Sequence, residues 1–508
     1  MQGFTLIDMG VLIVYLGIVL VFGLSFSNKE MKGKEFFKGD GTIPWWVTSV
    51  SIFATLLSPI SFLSLAGNSY SGSWIFWFAQ LGMIIIAVPF TIKFFLPIYN
   101  RLNVDTAYEY LEIRYNSKGL RVLGALMFII YQIGRMSIIM YLPSIALSKL
   151  TGINVNLLII FMGGVAIVYS YKGGIKAVLW TDFIQGMVLI IGVLLALGFL
   201  LFDIHGGIKT VFSELLADKF LSQKDVIFDP NILNSSVFII LVGSGFNNIS
   251  TYISSQDIVQ RFTTTTDIKE LKKMTYGNGI LSIFLATIFY LIGTALFVFY
   301  KQNPELLQTT QQDQIFASYI AFQLPVGITG ILLAAIYAAS QSTLSTGLNS
   351  VATSWTLDIQ SQISSKELNY EKQTNIAKYV SLLIGILAIL VAIVLANNEI
   401  KSAYEWFSSF IGLVLGVLGG IFILGAFTKK ATSLGAYLGF IVSAVLVIFL
   451  KYNVQSVTSW SYAIISISVS LVVGYIVSFV QSLILRKKID TLEEATVFST
   501  KEVLVNRK

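Results

Sequence analysis

Long apolar stretches separated by short polar connections dominate this chain. A helix of about 20 apolar residues is long enough to cross a bilayer, and thirteen such stretches can be marked. In chain order they cover 7–26, 46–69, 74–99, 122–148, 153–171, 176–202, 236–256, 276–300, 326–356, 376–397, 404–428, 433–451 and 458–485, and are named spans 1 to 13 below. The pattern predicts an all-α polytopic membrane protein with about 13 transmembrane helices.

Composition supports the membrane prediction. Hydrophobic residues make up 55% of the chain and charged residues 12%, about half of the usual charged share. With no cysteine and a single histidine, His205 in a polar connection, the chain cannot build a Cys/His zinc or iron site. The N-terminus has no positively charged region and no cleavage pattern after the first apolar stretch, so we expect span 1 to be retained rather than removed as a signal peptide.

The basic residues predict the orientation. An odd number of spans places the two termini on opposite sides, and an outer N-terminus assigns 26 of the 34 Lys and Arg residues, Arg261 among them, to the inner side. Such a bias is typical of cytoplasmic connections, so the net charge of +7 reflects topology rather than a nucleic-acid partner. We therefore expect an outer N-terminus and a cytoplasmic C-terminus.

Two spans contain helix-breaking sequences near their centres. Span 2 has Ser58-Pro59, and Pro59 frees a carbonyl one turn earlier, around Thr55. Span 7 has glycine and asparagine at its centre: Gly243, Gly245, Asn247 and Asn248. Either sequence alone fits a kink or a polar packing face. Because the two lie five spans apart, they also fit the interrupted helices of an inverted repeat, where freed carbonyls bind a cation.

Span 9 carries a stripe of small hydroxyl residues. Ala339, Ser342, Thr343 and Thr346 follow the i, i+3, i+4, i+7 spacing of one helical face, and Ser345 lies beside them. An uncharged set of oxygen ligands suits a monovalent cation. The alternative is a packing surface of small residues.

Two charged residues fall inside predicted spans, Arg135 in span 4 and Asp182 in span 6. Such residues are costly in a bilayer and are functional candidates by default. They could form an ion pair with each other. Alternatively, Asp182 helps to hold a cation beside the span 9 hydroxyls, and Arg135 binds a solute carboxylate with two hydrogen bonds.

Three segments resemble the sodium/solute symporter family: GGIKAVLWTDFIQG (173–186), SQSTLSTGLNS (340–350) and ILGAFTKKATSLGAYLG (423–439). Within that family, SIFATLLSPISFLSL (51–65), IGRMSII (133–139) and the downstream Gln80 look like the bacterial sialic acid symporters. The resemblance implies a leucine-transporter-type core of five plus five helices. The first repeat would be 46–202 and the second 203–428, with an extra helix and loop in 1–45 and two helices and a short tail in 429–508.

The resemblance also implies binding sites. A first sodium would lie between spans 2 and 9, with ligands from Ala54, Leu57, Ala339, Ser342 and Thr343. A second sodium, found in some members, would use Asp182, Ser342, Ser345 and Thr346. The solute would lie among Ser58, Ser61, Phe76, Gln80 and Arg135. Leu56 departs from the pattern, because a related member would offer a hydroxyl there, and this leaves the exact sugar acid open.

The function expected from the resemblance is sodium-coupled uptake of a carboxylated sugar (sialic acid, N-acetylneuraminate) by alternating access, with two sodium ions per solute. The expected partners are this solute, sodium and membrane lipid, with no protein partner. A symporter of the same family for a neutral sugar, proline or another carboxylate is the alternative. A membrane enzyme would want an acid-rich metal-binding loop or a buried histidine, and neither occurs in the sequence. A channel would want a continuous polar pore, and the pair of interrupted spans argues against it.

Overall fold

The computed structural model describes residues 5–25, 34–39, 41–364, 369–398, 403–454, 456–485 and 495–499. All regular elements among these residues are helical. Eleven helices of this part are long and apolar enough to cross a membrane, and a bent pair of helices forms a twelfth candidate span. The predicted span 5 contains a shorter apolar helix, Val155–Val168. The all-α, multi-span architecture is confirmed.

The helices follow the predicted spans, so the span numbers are kept. Their bounds are Leu6–Ser25 (span 1), Trp45–Leu56 with Pro59–Ser71 (span 2), Ile75–Leu102 (span 3), Lys118–Thr151 (span 4), Val155–Asp203 (spans 5 and 6), Val237–Ser254 (span 7), Ile268–Gln302 (span 8), Ile328–Ser354 (span 9), Tyr370–Ala396 (span 10), Ala403–Phe427 (span 11), Ser433–Asn453 (span 12) and Ser461–Leu485 (span 13). Shorter helices include Lys34–Lys38, Ala107–Tyr115, Gly207–Glu214, Gln256–Phe262 and Ile315–Phe322.

Some of the basic residues used for the orientation lie outside the described residues. They are Lys29, Lys32, Lys366, Lys401 and the six that follow span 13.

A glycine separates spans 5 and 6. Gly174 has φ +56° and ψ −171°, a backbone conformation that side chains disfavour. A Cβ atom at this position would also lie 2.9 Å from the Phe36 carbonyl oxygen in the short helix Lys34–Lys38. Gly174 is therefore required both for the turn and for the close packing of the helix that precedes span 2.

Burial separates central spans from peripheral ones. Span 9 buries nearly all of its residues, whereas span 10 buries about a fifth. Spans 5 and 6 pack along span 9, and span 8 packs against both halves of span 2. The peripheral spans expose large apolar side chains, among them Leu383, Leu390, Val394, Val445, Phe449, Ile476 and Ile484. This distribution fits a bilayer, where apolar surface faces lipid and polar side chains face the interior.

Span 1 is attached to the start of span 9 through a buried carboxylate. Asp8 Oδ1 accepts hydrogen bonds from the backbone nitrogens of Gly327 (2.8 Å) and Gly330 (2.9 Å). The first N–H groups of a helix have no intrahelical partner, and the helix dipole favours negative charge at this end. Asp8 therefore caps the helix that carries the hydroxyl stripe.

Candidate functional site

Span 2 is interrupted at the predicted place. Its two halves, Trp45–Leu56 and Pro59–Ser71, meet at an angle of 66°. Leu57 and Ser58 between them have extended backbone, with ψ 99° and 167°. Pro59 has no N–H, so the Thr55 carbonyl four residues earlier has no helical donor. The sequence prediction of unwound backbone at Ser58-Pro59 is confirmed.

The hydroxyls of span 9 face this interruption. Ser342 Oγ donates to the Ala54 carbonyl at 2.9 Å, and Thr343 Oγ1 contacts the Thr55 carbonyl at 3.2 Å. Both hydroxyls also contact the Ala339 carbonyl, at 3.2 and 3.0 Å. Four of the five residues predicted for the first sodium therefore lie together. The fifth, Leu57, lies in the interruption itself, and no hydrogen bond among the described residues joins it to span 9.

The residues predicted for the second sodium also converge. Asp182 is fully buried, and its carboxylate accepts hydrogen bonds from Thr346 Oγ1 at 3.2 Å and Ser345 Oγ at 3.4 Å. Ser345 Oγ also donates to the Ser342 carbonyl at 3.0 Å, which connects the two predicted sites. Ser51 of span 2 donates to Asp182 at 2.7 Å and was not predicted.

An arginine that sequence analysis assigned to an inner connection lies in this cluster. Arg261 is fully buried in the helix Gln256–Phe262, and its Nη2 is 2.7 Å from Asp182 Oδ2. The assignment was wrong because the chain does not leave the protein after span 7: it breaks at Ser255 and continues as a buried helix. Asp257 and Arg261, four residues apart within that stretch, were the signal available in the sequence.

Arg135 and Asp182 do not pair with each other. Arg135 Nη1 binds Asp257 Oδ2 at 2.5 Å, and its Nη2 donates to the Thr55 carbonyl at 2.6 Å. The alternative of a direct Arg135–Asp182 pair is therefore wrong. Two separate ion pairs exist instead, Arg135–Asp257 and Arg261–Asp182, and Thr55 in span 2 contacts the arginine of each. Paired burial of this kind avoids the cost of an isolated charge.

The residues predicted for the solute lie beside the interruption or on span 3. Ser58 occupies the position before the second half of span 2, but its buried hydroxyl makes no capping hydrogen bond and has no partner among the described residues. Ser61 is partly exposed one turn further on, and Gln80 is partly exposed in span 3. Phe76 stacks on Trp460, with ring centroids 6.2 Å apart. In the described part of the chain, no hydrogen bond joins Arg135 to any of these four residues, so the solute site stays a prediction.

Span 7 is not interrupted at its glycines. It is a continuous helix through Gly243 and Asn248, so the predicted central break is wrong. Gly243 instead allows close packing, because a Cβ atom there would lie 2.2 Å from the Trp460 carbonyl oxygen. The break occurs at Ser255, where the backbone is extended with ψ 116°.

The site and the fold together define a class of membrane protein. An interrupted helix with freed carbonyls, facing a hydroxyl-lined helix inside a multi-span bundle, is typical of cation-coupled secondary carriers.

The comparisons with known proteins agree with this class. The model of the Sodium:solute symporter family matches residues 36–443, and the chain belongs to that family. The sodium/sialic acid symporter SiaT of Proteus mirabilis (strain HI4320) is 35% identical over 476 residues, which cover 93% of this chain and 95% of the relative.

Two solved structures support the fold. A Na⁺-coupled sialic acid symporter in a substrate-bound outward-open state, described as having a novel Na⁺ site, superposes with a TM-score of 0.86 at 34% identity and covers 94% of this chain and 98% of its own. Mhp1, a nucleobase-cation-symport-1 family transporter, superposes with a TM-score of 0.54 at 14% identity over 89% of this chain and 96% of its own, which concerns the fold alone. The leucine-transporter-type fold is confirmed.

Proposed function

We propose that this protein takes up a carboxylated sugar of the sialic acid class together with sodium, across a bacterial cytoplasmic membrane. In this proposal the N-terminus is outside, the C-terminus is cytoplasmic, and the two inverted repeats meet between residues 202 and 203. The relatives described as sialic acid symporters support the choice of solute, since they are about a third identical over more than nine-tenths of this chain. With Arg261 buried, 25 basic residues instead of 26 remain on the inner side, and the bias that supports the orientation persists.

The observation that carries the proposal is the contact between the interruption of span 2 and the hydroxyls of span 9. The Ala54 and Thr55 carbonyls lie outside the helical hydrogen-bond pattern and face Ser342 and Thr343. A hydroxyl that now donates to a carbonyl can turn its hydrogen away, because the hydrogen is free to rotate. The hydroxyl oxygen and the carbonyl oxygen can then both face a cation. Sodium would thus bridge spans 2 and 9 and hold them together, which is how it would bias an alternating-access cycle.

A solute carboxylate has a suitable place next to the first sodium. The second half of span 2 begins at Pro59, and the positive end of a half-helix favours an anionic group. The Ser58 hydroxyl at this end is buried and has no partner among the described residues. We propose that Ser58 and Ser61 receive the carboxylate end of the solute, with Phe76 and Gln80 along its length. Arg135 contributes positive charge. Its guanidinium now binds Asp257, so a direct hydrogen bond to the solute carboxylate would require the guanidinium to bind both carboxylates.

Energetics favours two sodium ions for each anionic solute. One sodium carried with one anion moves no net charge, and a tenfold gradient supplies about 1.4 kcal/mol, or about tenfold accumulation. A second sodium makes the step electrogenic, and a potential of about 100 mV then adds roughly 2.3 kcal/mol. Two gradients and the potential give about 5 kcal/mol together, or several thousandfold accumulation. A protein that takes up a scarce solute needs the larger accumulation that two sodium ions provide.

Uptake by the purified protein in liposomes tests this function. Labelled N-acetylneuraminate should accumulate with an inward sodium gradient and not with choline in its place, and an inside-negative potential set by valinomycin and potassium should increase the accumulation. Accumulation that does not depend on the membrane potential would indicate one sodium ion per solute instead of two. Labelled glucose, proline and a short monocarboxylate are tested in the same way. If one of them accumulates with sodium while N-acetylneuraminate neither accumulates nor competes with it, the solute is a different one of the same family.

A further inference from the structure

The guanidinium of Arg261 lies within the set of oxygens predicted to hold the second sodium. Its Nη2 is 2.7 Å from Asp182 Oδ2 and 2.7 Å from Thr346 Oγ1. The same nitrogen is 2.7 Å from Thr55 Oγ1, and Nε donates to Ser51 Oγ at 3.0 Å. A carboxylate and hydroxyls on spans 2, 6 and 9 therefore surround one positively charged group.

These oxygens are also the ligands that a monovalent cation would use there. Asp182 and Thr346 belong to the predicted ligand set, and Ser345 also contacts the carboxylate. A sodium ion on Asp182 Oδ2 and Thr346 Oγ1 would take the position in which Nη2 now lies. Two positive charges cannot share that position, because the carboxylate neutralises only one of them and the surroundings are fully buried.

The helix that carries Arg261 offers a way for the side chain to withdraw. Gln256–Phe262 is short and begins at the extended Ser255. Nη1 of Arg261 donates to the Asp257 backbone carbonyl in the preceding turn. A guanidinium released from Asp182 therefore keeps a hydrogen-bond partner on its own helix and remains near the Asp257 side chain.

We propose that Arg261 is an internal cation that competes with the second sodium for Asp182. The inference rests on the proposed sodium-coupled function and adds to it a residue that sets the affinity of the second site. When sodium binds, it displaces the guanidinium; when sodium leaves, Arg261 neutralises the buried carboxylate again. The chain thereby avoids an unpaired buried charge in the sodium-free protein.

The test measures sodium binding without transport. Tryptophan fluorescence follows thermal unfolding of the purified protein while sodium replaces choline at constant ionic strength, and the rise in unfolding midpoint reports sodium binding. Arg261→Gln removes the competing charge. The unfolding midpoint of this variant in choline should be lower than that of the wild type. The sodium concentration that gives half of the midpoint rise should be at least about tenfold lower than in the wild type, since Asp182 then lacks its partner.

Two variants complete the experiment. Arg261→Lys keeps a positive charge with fewer hydrogen bonds, and its sodium response should lie between those of the wild type and Arg261→Gln. The double variant Asp182→Asn with Arg261→Gln removes both charges, and it should lose the gain in sodium affinity. If Arg261→Gln does not fold in either salt, Arg261→Lys decides the question.

The outcomes separate this inference from the proposed function. Sodium responses of Arg261→Gln and Arg261→Lys that match the wild type would overturn the competition, whatever the protein transports. A single sodium bound by the wild type and two bound by Arg261→Gln would support the competition and remove the two-sodium stoichiometry. Equal gains in Arg261→Gln and in the double variant would also overturn it, because Asp182 would then have no part in the effect.

Discussion

The contact between Thr343 and the interruption of span 2 allows a sharp test of the first sodium site. Thr343→Val replaces a hydroxyl by a methyl group of similar size, so the packing of span 9 is preserved while one oxygen is lost. In the structure this hydroxyl contacts the Thr55 carbonyl at 3.2 Å and the Ala339 carbonyl at 3.0 Å. The Thr55 carbonyl keeps the hydrogen bond from Arg135, at 2.6 Å.

The structure allows the size of the effect to be worked out. Without sodium, the variant loses one neutral hydrogen bond, about 0.5–1.5 kcal/mol, and no buried carbonyl at the interruption is left unpaired. With sodium bound, it loses an oxygen next to a full charge, which is worth about 1.5–3 kcal/mol. The difference of about 1–1.5 kcal/mol corresponds to sodium binding that is about 5- to 13-fold weaker.

The assay compares sodium titrations of the thermal unfolding midpoint and of uptake. Thr275→Val is the matched control, because this buried threonine of span 8 donates to the Leu271 carbonyl at 2.8 Å within its own helix. Thr343→Val should shift both titrations to higher sodium, and Thr275→Val should shift neither. Equal shifts in the two variants, or no shift in Thr343→Val, would show that span 9 does not supply a sodium ligand at this position.

Three further changes test other parts of the structure. Asp8→Asn removes the negative charge at the first N–H groups of span 9, and the unfolding free energy should fall by about 1 kcal/mol; an unchanged denaturation profile would contradict the capping role. Arg101 binds the backbone carbonyls of Thr496 and Ser499, so Arg101→Ala should speed amide hydrogen exchange in 495–499, and unaltered exchange would mean that other contacts hold this segment. Burial raises the pKa of Asp313, which lies in the connection before span 9, above its ordinary value of 3.8. The folded state therefore binds more protons than the unfolded state just above that value, and stability falls as pH rises through this window; Asp313→Asn should flatten this part of the stability profile, and a slope equal to that of the wild type would refute the assignment.

Local chemistry made the main features of the site predictable from the sequence. A proline removes a specific hydrogen-bond donor, so the interruption of span 2 and the freed Thr55 carbonyl follow from Ser58-Pro59 alone. Helical periodicity places Ala339, Ser342 and Thr343 on one face whatever surrounds them. The number and position of most spans follow from the length of apolar stretches.

The path of the chain after span 7 was decided by tertiary packing. Glycine and asparagine in mid-helix fit both an interruption and a close helix contact, and the contact of Gly243 with Trp460 determined the outcome. Hydropathy likewise treats a short charged stretch at the end of a span as a connection to water. Only the fold shows that Asp257 and Arg261 turn inwards there.

The sequence by itself determined where span 2 unwinds and which hydroxyls of span 9 share a face, because both depend on residues close together in the chain. The tertiary structure decided which charges neutralise each other. Arg135 pairs with Asp257 across 122 positions, and Asp182 pairs with Arg261 across 79. A buried charge takes whichever opposite charge packing brings next to it, and that depends on which helices are neighbours.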